Sequence, residues 1–196
     1  MRMFLIRHGA TQWSATGQHT STTDLSLTSE GLAQLGPLST ALREALGEQF
    51  ATAVVFSSPL TRALATAQIV LGDDREVRVD PNLIEFNYGD YEGLTSEEIR
   101  DWRSDWDIWR DGCPRGESAD DVGRRADTFL AGLGDDPELL LVFSHSHFIR
   151  ILAARAIGLD ARQGQIFTLD TATVSLVEDV RGKRVIKRWN MNPTSL

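Results

Sequence analysis

The sequence predicts an α/β fold: one domain on a mostly parallel central sheet with helices on both faces, and a small cap insertion over the ligand end. Three observations carry that expectation. Short apolar runs alternate with stretches of helical periodicity, and the run Leu139–Phe143 is continuously apolar, as in a strand covered on both faces. A chain of 196 residues with 41% hydrophobic and 24% charged content suits a single domain with a substantial core.

Taken in order, Met3–Ile6 reads as the first strand. Thr28–Leu46 then has helical spacing, and Gly36-Pro37 inside it predicts a kink or restart, because proline lacks a backbone donor and crowds the preceding turn. Ala53–Ser57 is the second strand. After it, Ser58 suits an N-cap and Pro59 a first helical position, so a helix should run to about Leu71. The stretch Asp101 to Glu117 reads as the loosest of the chain. Leu139–Phe143 leads into Phe148–Ile157, a helix that Gly158 ends, and Val174–Val177 with Arg184–Lys187 flank the turn signal Arg181-Gly182 as a late hairpin.

Composition also excludes. A net charge of -8 with scattered Lys and Arg argues against a nucleic-acid surface, which rewards a basic stripe. The single cysteine, Cys113, allows no intramolecular disulfide and no cysteine-rich metal site; it reads as a small buried side chain in a reducing compartment. Met3–Ile6 is too short for a signal-peptide core, and no stretch approaches the roughly 20 apolar residues of a membrane span, so a cytoplasmic protein with no membrane partner is expected. No repeat or long linker divides residues 1–196, which are read as one domain, with a homodimer as an open possibility.

In a parallel sheet, ligands collect at the carboxyl ends of the strands. Those ends read Arg7-His8-Gly9, Ser57-Ser58-Pro59-Leu60-Thr61-Arg62 and Ser144-His145-Ser146-His147. One strand-end histidine is usually a packing residue and one arginine a solvated charge, but two of each at three strand ends favour a site. Guanidinium forks match phosphate oxygens, and Arg62 in a first helical turn would add free backbone N–H groups. A histidine with a pKa of about 6.5 is a neutral nucleophile toward phosphorus near neutral pH.

The motifs Arg7-His8-Gly9-Ala10-Thr11, Leu27-Thr28-Ser29-Glu30-Gly31, Ser58-Pro59-Leu60-Thr61-Arg62-Ala63, Glu85 through Gly93, Gly116-Glu117-Ser118 and Ser144-His145 resemble, in order, those of the histidine phosphatase, or phosphoglycerate mutase-like, superfamily. The resemblance spans Met3 to about Leu159. It implies a metal- and cofactor-independent core in which His8 is phosphorylated beside Arg7, Arg62 and His145, with Glu85 as proton donor. It also implies phosphate contacts from Ser14 and Thr20; Ser21 and Tyr88 complete the expected substrate-binding set. The chain departs from the usual pattern at Ala10, where many members have Glu, at Ser14 in place of Asn, and at Ser146 in place of Gly. Trp13–Thr20 and Ile108–Cys113 look most similar to acid phosphatases and sedoheptulose bisphosphatases, which implies sugar phosphates or bisphosphates among small phosphorylated metabolites.

Other signals stay open at this level. His145-x-His147 would place two rings on one side of an extended segment, but no acidic or cysteine companion follows at metal spacing, and His147 and His19 are expected behind the site residues or at the rim. Trp102, Trp106, Trp109 and Tyr91 fit either a packed core or a substrate-facing cap within the Tyr88–Ser118 insertion. Arg103, Arg110 and Arg115 fit a solvated face, or one of them holds a second substrate charge. Two rivals to hydrolysis remain: a mutase that returns the phosphoryl group to a bound phosphoglycerate, and a phospho-ligand binding module without turnover. The stretch between Glu85 and Ser118 is short beside the lids of family mutases, and a binding module needs neither nucleophile nor proton donor.

Overall fold

The computed structural model describes residues 1–72, 74–134 and 137–196. In chain order it contains β1 (Arg2–Arg7), α1 (Gln12–Thr16), α2 (Ser29–Leu46), α3 (Gln49–Thr52), β2 (Val54–Ser57), α4 (Thr61–Leu71) and β3 (Arg78–Val79). There follow α5 (Ser96–Trp102), α6 (Ile108–Asp111), α7 (Ala119–Ala131), β4 (Leu139–Ser144), α8 (Ser146–Ala156), β5 (Val174–Val180) and β6 (Lys183–Met191). The sheet order is β3-β2-β4-β1-β5-β6; the first four strands are mutually parallel, and β5 and β6 add an antiparallel edge beside β1.

Alternation along the strands feeds two cores. Phe4, Ile6, Leu141 and Phe143 pack with Leu35, Leu38 and Leu42 of α2 and Val70 of α4. From the other face, Met3, Leu5, Leu140 and Val142 meet Val122 and Phe129 of α7 and Phe148 and Leu152 of α8. Strand β4 lies between β1 and β2 and is buried at every residue, which is why its sequence shows no polar alternation. This arrangement brings the carboxyl ends of β1, β2 and β4 to one edge, where the backbone continues in register: His8 N donates to Ser144 O at 3.1 Å, and Ser58 N to Phe143 O at 3.0 Å.

Four local expectations are corrected. Helix α2 does not restart at Pro37 but continues through it: Gly36 and Pro37 face solvent, where water can serve the Ala33 carbonyl, while buried Leu35, Leu38 and Leu42 hold the helix to the sheet. Helix α4 starts at Thr61, not at Pro59, and its cap comes from outside: the Asp24 carboxylate accepts from Thr61 N at 2.8 Å and from Thr61 Oγ1 at 2.6 Å. Residues 101–117 are not loose, since Trp106, Ile108, Trp109 and Cys113 are all buried and Trp106 Nε1 donates to Gly112 O at 2.9 Å. With Tyr91 also buried, the aromatic cluster is core, and only Trp102, 63% exposed, faces out. Finally, α8 starts at Ser146, so the His145-x-His147 segment is not extended.

The hairpin is longer than its sequence signal. Arg181 and Gly182 both take positive φ, 50° and 76°, as a two-residue turn that follows the strand twist requires. No helix among the described residues is long and apolar enough to cross a membrane.

Candidate active site

A cleft of about 220 Å³ opens where the carboxyl end of β1 meets the amino end of α8, and Arg7, His8, Arg62, Glu85 and Tyr88 line it. His8 is 4% exposed, and its Nδ1 lies 2.7 Å from Gly9 O. A carbonyl only accepts, so Nδ1 carries the proton and Nε2 keeps its lone pair. Burial first, and then the charges of Arg7 and Arg62, push the His8 pKa well below 6.5 and hold the ring neutral at neutral pH. The loop that presents His8 depends on two glycines. A Cβ on Gly31 would lie 2.2 Å from Ala10 O, and one on Gly9 would lie 2.7 Å from Gly31 O, so the loop after β1 sits directly on the start of α2.

Arg62 is buried and donates to Thr20 O at 3.0 Å and Thr23 O at 3.4 Å; Arg7 donates to Leu169 O at 2.5 Å. Burial lowers both guanidinium pKa values, the Glu85 charge opposes it, and both groups stay charged. The His145 ring is fully buried with its centroid 5.1 Å from that of His8, and its Nε2 lies 2.8 Å from Ser58 Oγ. Burial, then Arg62, His8 and Arg7, also push its pKa well below 6.5. Among the described residues, two buried side-chain polar atoms lack a protein partner, and both are here: Arg7 Nε and His145 Nδ1.

Glu85 lies in the irregular stretch before Tyr88 and is 4% exposed. Its carboxylate accepts from Phe86 N and Phe148 N at 2.9 Å and from His147 N at 3.2 Å. Two of those donors belong to the first turn of α8, whose N-cap residue His145 supplies no side-chain cap, so Glu85 closes that helix end from outside. His147 turns the other way, its Nδ1 2.8 Å from Tyr88 Oη, and His19 stacks on Tyr88 with centroids 4.5 Å apart.

A protein-family model described as the histidine phosphatase superfamily, branch 1, matches residues 3–192. The chain belongs to that superfamily. This histidine phosphatase is 36% identical to an acid phosphatase of Mycobacterium tuberculosis over 93% of its own length and 89% of the relative's. It is 34% identical to the sedoheptulose 1,7-bisphosphatase of Saccharomyces cerevisiae, covering 83% of this chain and 69% of that one. A solved structure of a Mycobacterium tuberculosis open reading frame superposes with a TM-score of 0.90 at 34% identity, over 98% of both chains.

The histidine phosphatase fold gathers most, but not all, of the expected site residues. Ser14, Thr20 and Tyr88 line the cleft, though Ser14 Oγ also serves the Thr11 backbone and Thr20 Oγ1 donates to Gln18 O at 3.0 Å. Ser21 does not line it; it is buried with its N–H on the Glu92 carboxylate. Arg103 donates to Tyr91 Oη, Arg110 pairs with Asp111 and Arg115 with Asp90, and none of the three reaches the cleft. Sequence reasoning missed Thr11, Gln18 and Ser96 in the lining, Ser58 behind His145, and Glu92 beneath the Ser21 loop. The Gln18–Thr95 bridge that shapes this wall joins distant segments and leaves no local signal.

Proposed function

We propose that this histidine phosphatase hydrolyses phosphate monoesters of small metabolites through a phosphohistidine formed on His8. The observation that carries the reading is the tautomer of His8, with Nδ1–H held by Gly9 O and a free Nε2 beside the buried Arg62 and the half-buried Arg7. The Nε2 lone pair attacks phosphorus; the N–P bond forms as the P–O ester bond breaks, and Glu85 gives its proton to the departing oxygen. Arg7, Arg62 and His145 hold the equatorial oxygens, where charge builds up. Water then attacks phosphorus and passes a proton to Glu85, and the N–P pair returns to His8 as phosphate leaves.

Further support comes from the partnerless Arg7 Nε and His145 Nδ1, since buried donors are costly unless a ligand such as an oxyanion takes them. A bound dianion would also reverse the electrostatics of the site, where cations surround two neutral imidazoles. Ser14, Thr20 and Tyr88 offer hydroxyls to the substrate, while Ser21, with its N–H on Glu92, helps to hold the loop whose Thr20 O accepts from Arg62. The charge comes from arginine, so turnover needs no divalent ion. The buried Cys113 suits cytoplasmic surroundings. Relatives named as phosphatases agree with the hydrolytic reading.

Rapid quench with labelled substrate should trap an acid-labile, alkali-stable phosphoenzyme on the wild type and none on His8→Ala. Substantial turnover by the His8→Ala protein would overturn the mechanism.

A further inference from the structure

We propose that the substrate carries its only anionic group at the reacting phosphate and presents an uncharged, hydroxyl-rich leaving group, as a sugar monophosphate does. Bisphosphates and phosphorylated carboxylic acids are then poor substrates. This rests on the hydrolase reading above and names the substrate class of the same site.

The cations in the cleft wall are Arg7 and Arg62, and both belong to the phosphate end beside His8. Besides the Glu85 carboxyl, the wall offers Ser14, Gln18, His19, Tyr88, Ser96 and His147: hydroxyls, an amide and two imidazoles. His147 is tied to Tyr88 Oη, and burial, then the charge of Arg150, holds its pKa well below 6.5. His19 is buried, stacked on Tyr88 and 3.4 Å from Ser96 Oγ through Nε2. Burial, and then the charge of Arg100, lowers its pKa to about 4, so at neutral pH it brings no positive charge. A second phosphate or a carboxylate here would lose its hydration and gain no cation in return. Sugar hydroxyls both donate and accept, which is what this wall offers in turn.

Neighbouring guanidinium groups are occupied elsewhere. Arg100 donates to Trp106 O at 3.3 Å, and Arg150 lies 4.5 Å over the Trp109 ring and donates to Gly164 O at 3.2 Å. Arg103, Arg110 and Arg115 have the partners described above, and none of the five lines the cleft. The net charge of -8 gives a second anion no help at long range.

The test compares kcat/KM of the wild type for a hexose monophosphate and the matching bisphosphate, and for glycerol phosphate and phosphoglycerate, with p-nitrophenyl phosphate as reference. The singly phosphorylated, uncharged-tail substrate should be favoured by about tenfold or more in each pair. Ser96→Arg, which puts a cation in the wall, should shift both ratios toward the doubly anionic substrate, and Arg100→Gln should leave them unchanged. Efficient turnover of p-nitrophenyl phosphate with equal or better use of the doubly anionic partners overturns the substrate class alone, as does a loss of bisphosphate turnover in Arg100→Gln. Absence of phosphate release from every monoester overturns the hydrolase reading as well.

Discussion

His145 Nε2 lies 2.8 Å from Ser58 Oγ, a buried contact that joins the end of β4 to the loop after β2. Ser58 Oγ also accepts from Leu60 N at 3.3 Å, which directs its own proton toward His145 and leaves Nδ1–H free. Ser58→Ala should therefore lower kcat by about three- to tenfold, the value of one hydrogen bond, with a smaller change in KM. Steady-state kinetics on one sugar phosphate would check this, and an unchanged kcat would remove Ser58 from the positioning of His145.

Glu85 should matter in proportion to how poor the leaving group is. In Glu85→Gln the amide oxygen can still accept from Phe86 N and Phe148 N, so the fold is retained while the proton is lost. Alkyl phosphates should slow by about a hundredfold or more and aryl phosphates with acidic phenols by about tenfold or less. Equal losses on both would make Glu85 a helix-capping residue only.

Glu92 acts one step further from the chemistry. Its carboxylate accepts from Ser21 N at 2.8 and 3.0 Å and from Thr23 N at 2.9 Å, and the loop so held offers Thr20 O and Thr23 O to Arg62. Glu92→Ala should weaken vanadate inhibition and raise KM, each by roughly tenfold, while the circular dichroism spectrum stays folded. Unchanged vanadate affinity would mean that Arg62 holds its place without the loop.

Acid should destabilise the free protein and a bound oxyanion should relieve this. All four histidines are held below their unfolded pKa of about 6.5: His8, His145 and His147 well below it, and His19 at about 4, burial being the first cause in each. Below pH 6.5 the unfolded chain therefore binds protons that the folded chain does not. Stability is fully present above that pH and falls as pH drops, by at most about 1.4 kcal/mol per pH unit for each histidine, with the His19 share ending near pH 4. Urea unfolding at neutral and mildly acid pH, with and without vanadate, would measure the slope; a stability that rose on acidification would contradict the neutral imidazoles.

Much of the site was legible because strand ends and phosphate chemistry leave local marks. Arg7, His8 and His145 fall where a parallel sheet puts its ligands, and the motif resemblance added Glu85 from a segment with no helical or strand pattern. What failed were inferences from a residue's own propensity. Pro37 predicts a kink or restart in α2, and Ser58 a cap on α4, yet the packing of Leu35, Leu38 and Leu42 carries the first helix on without a restart and the partnership with His145 claims the serine.

By itself, then, the sequence determined the alternating α/β plan, the family, and the four cationic or imidazole side chains at the sheet edge, since each follows from periodicity or from a short contiguous motif. Only the tertiary structure decided that His8 presents Nε2, that Asp24 and Glu85 close helices distant from them in the chain, and that Arg103, Arg110 and Arg115 turn away from the cleft. The physical reason is that a side chain's role depends on which donors, acceptors and charges the fold brings within about 3 Å of it; some are next in the chain, as Gly9 O is to His8, but those that Asp24 and Glu85 serve lie tens of residues away.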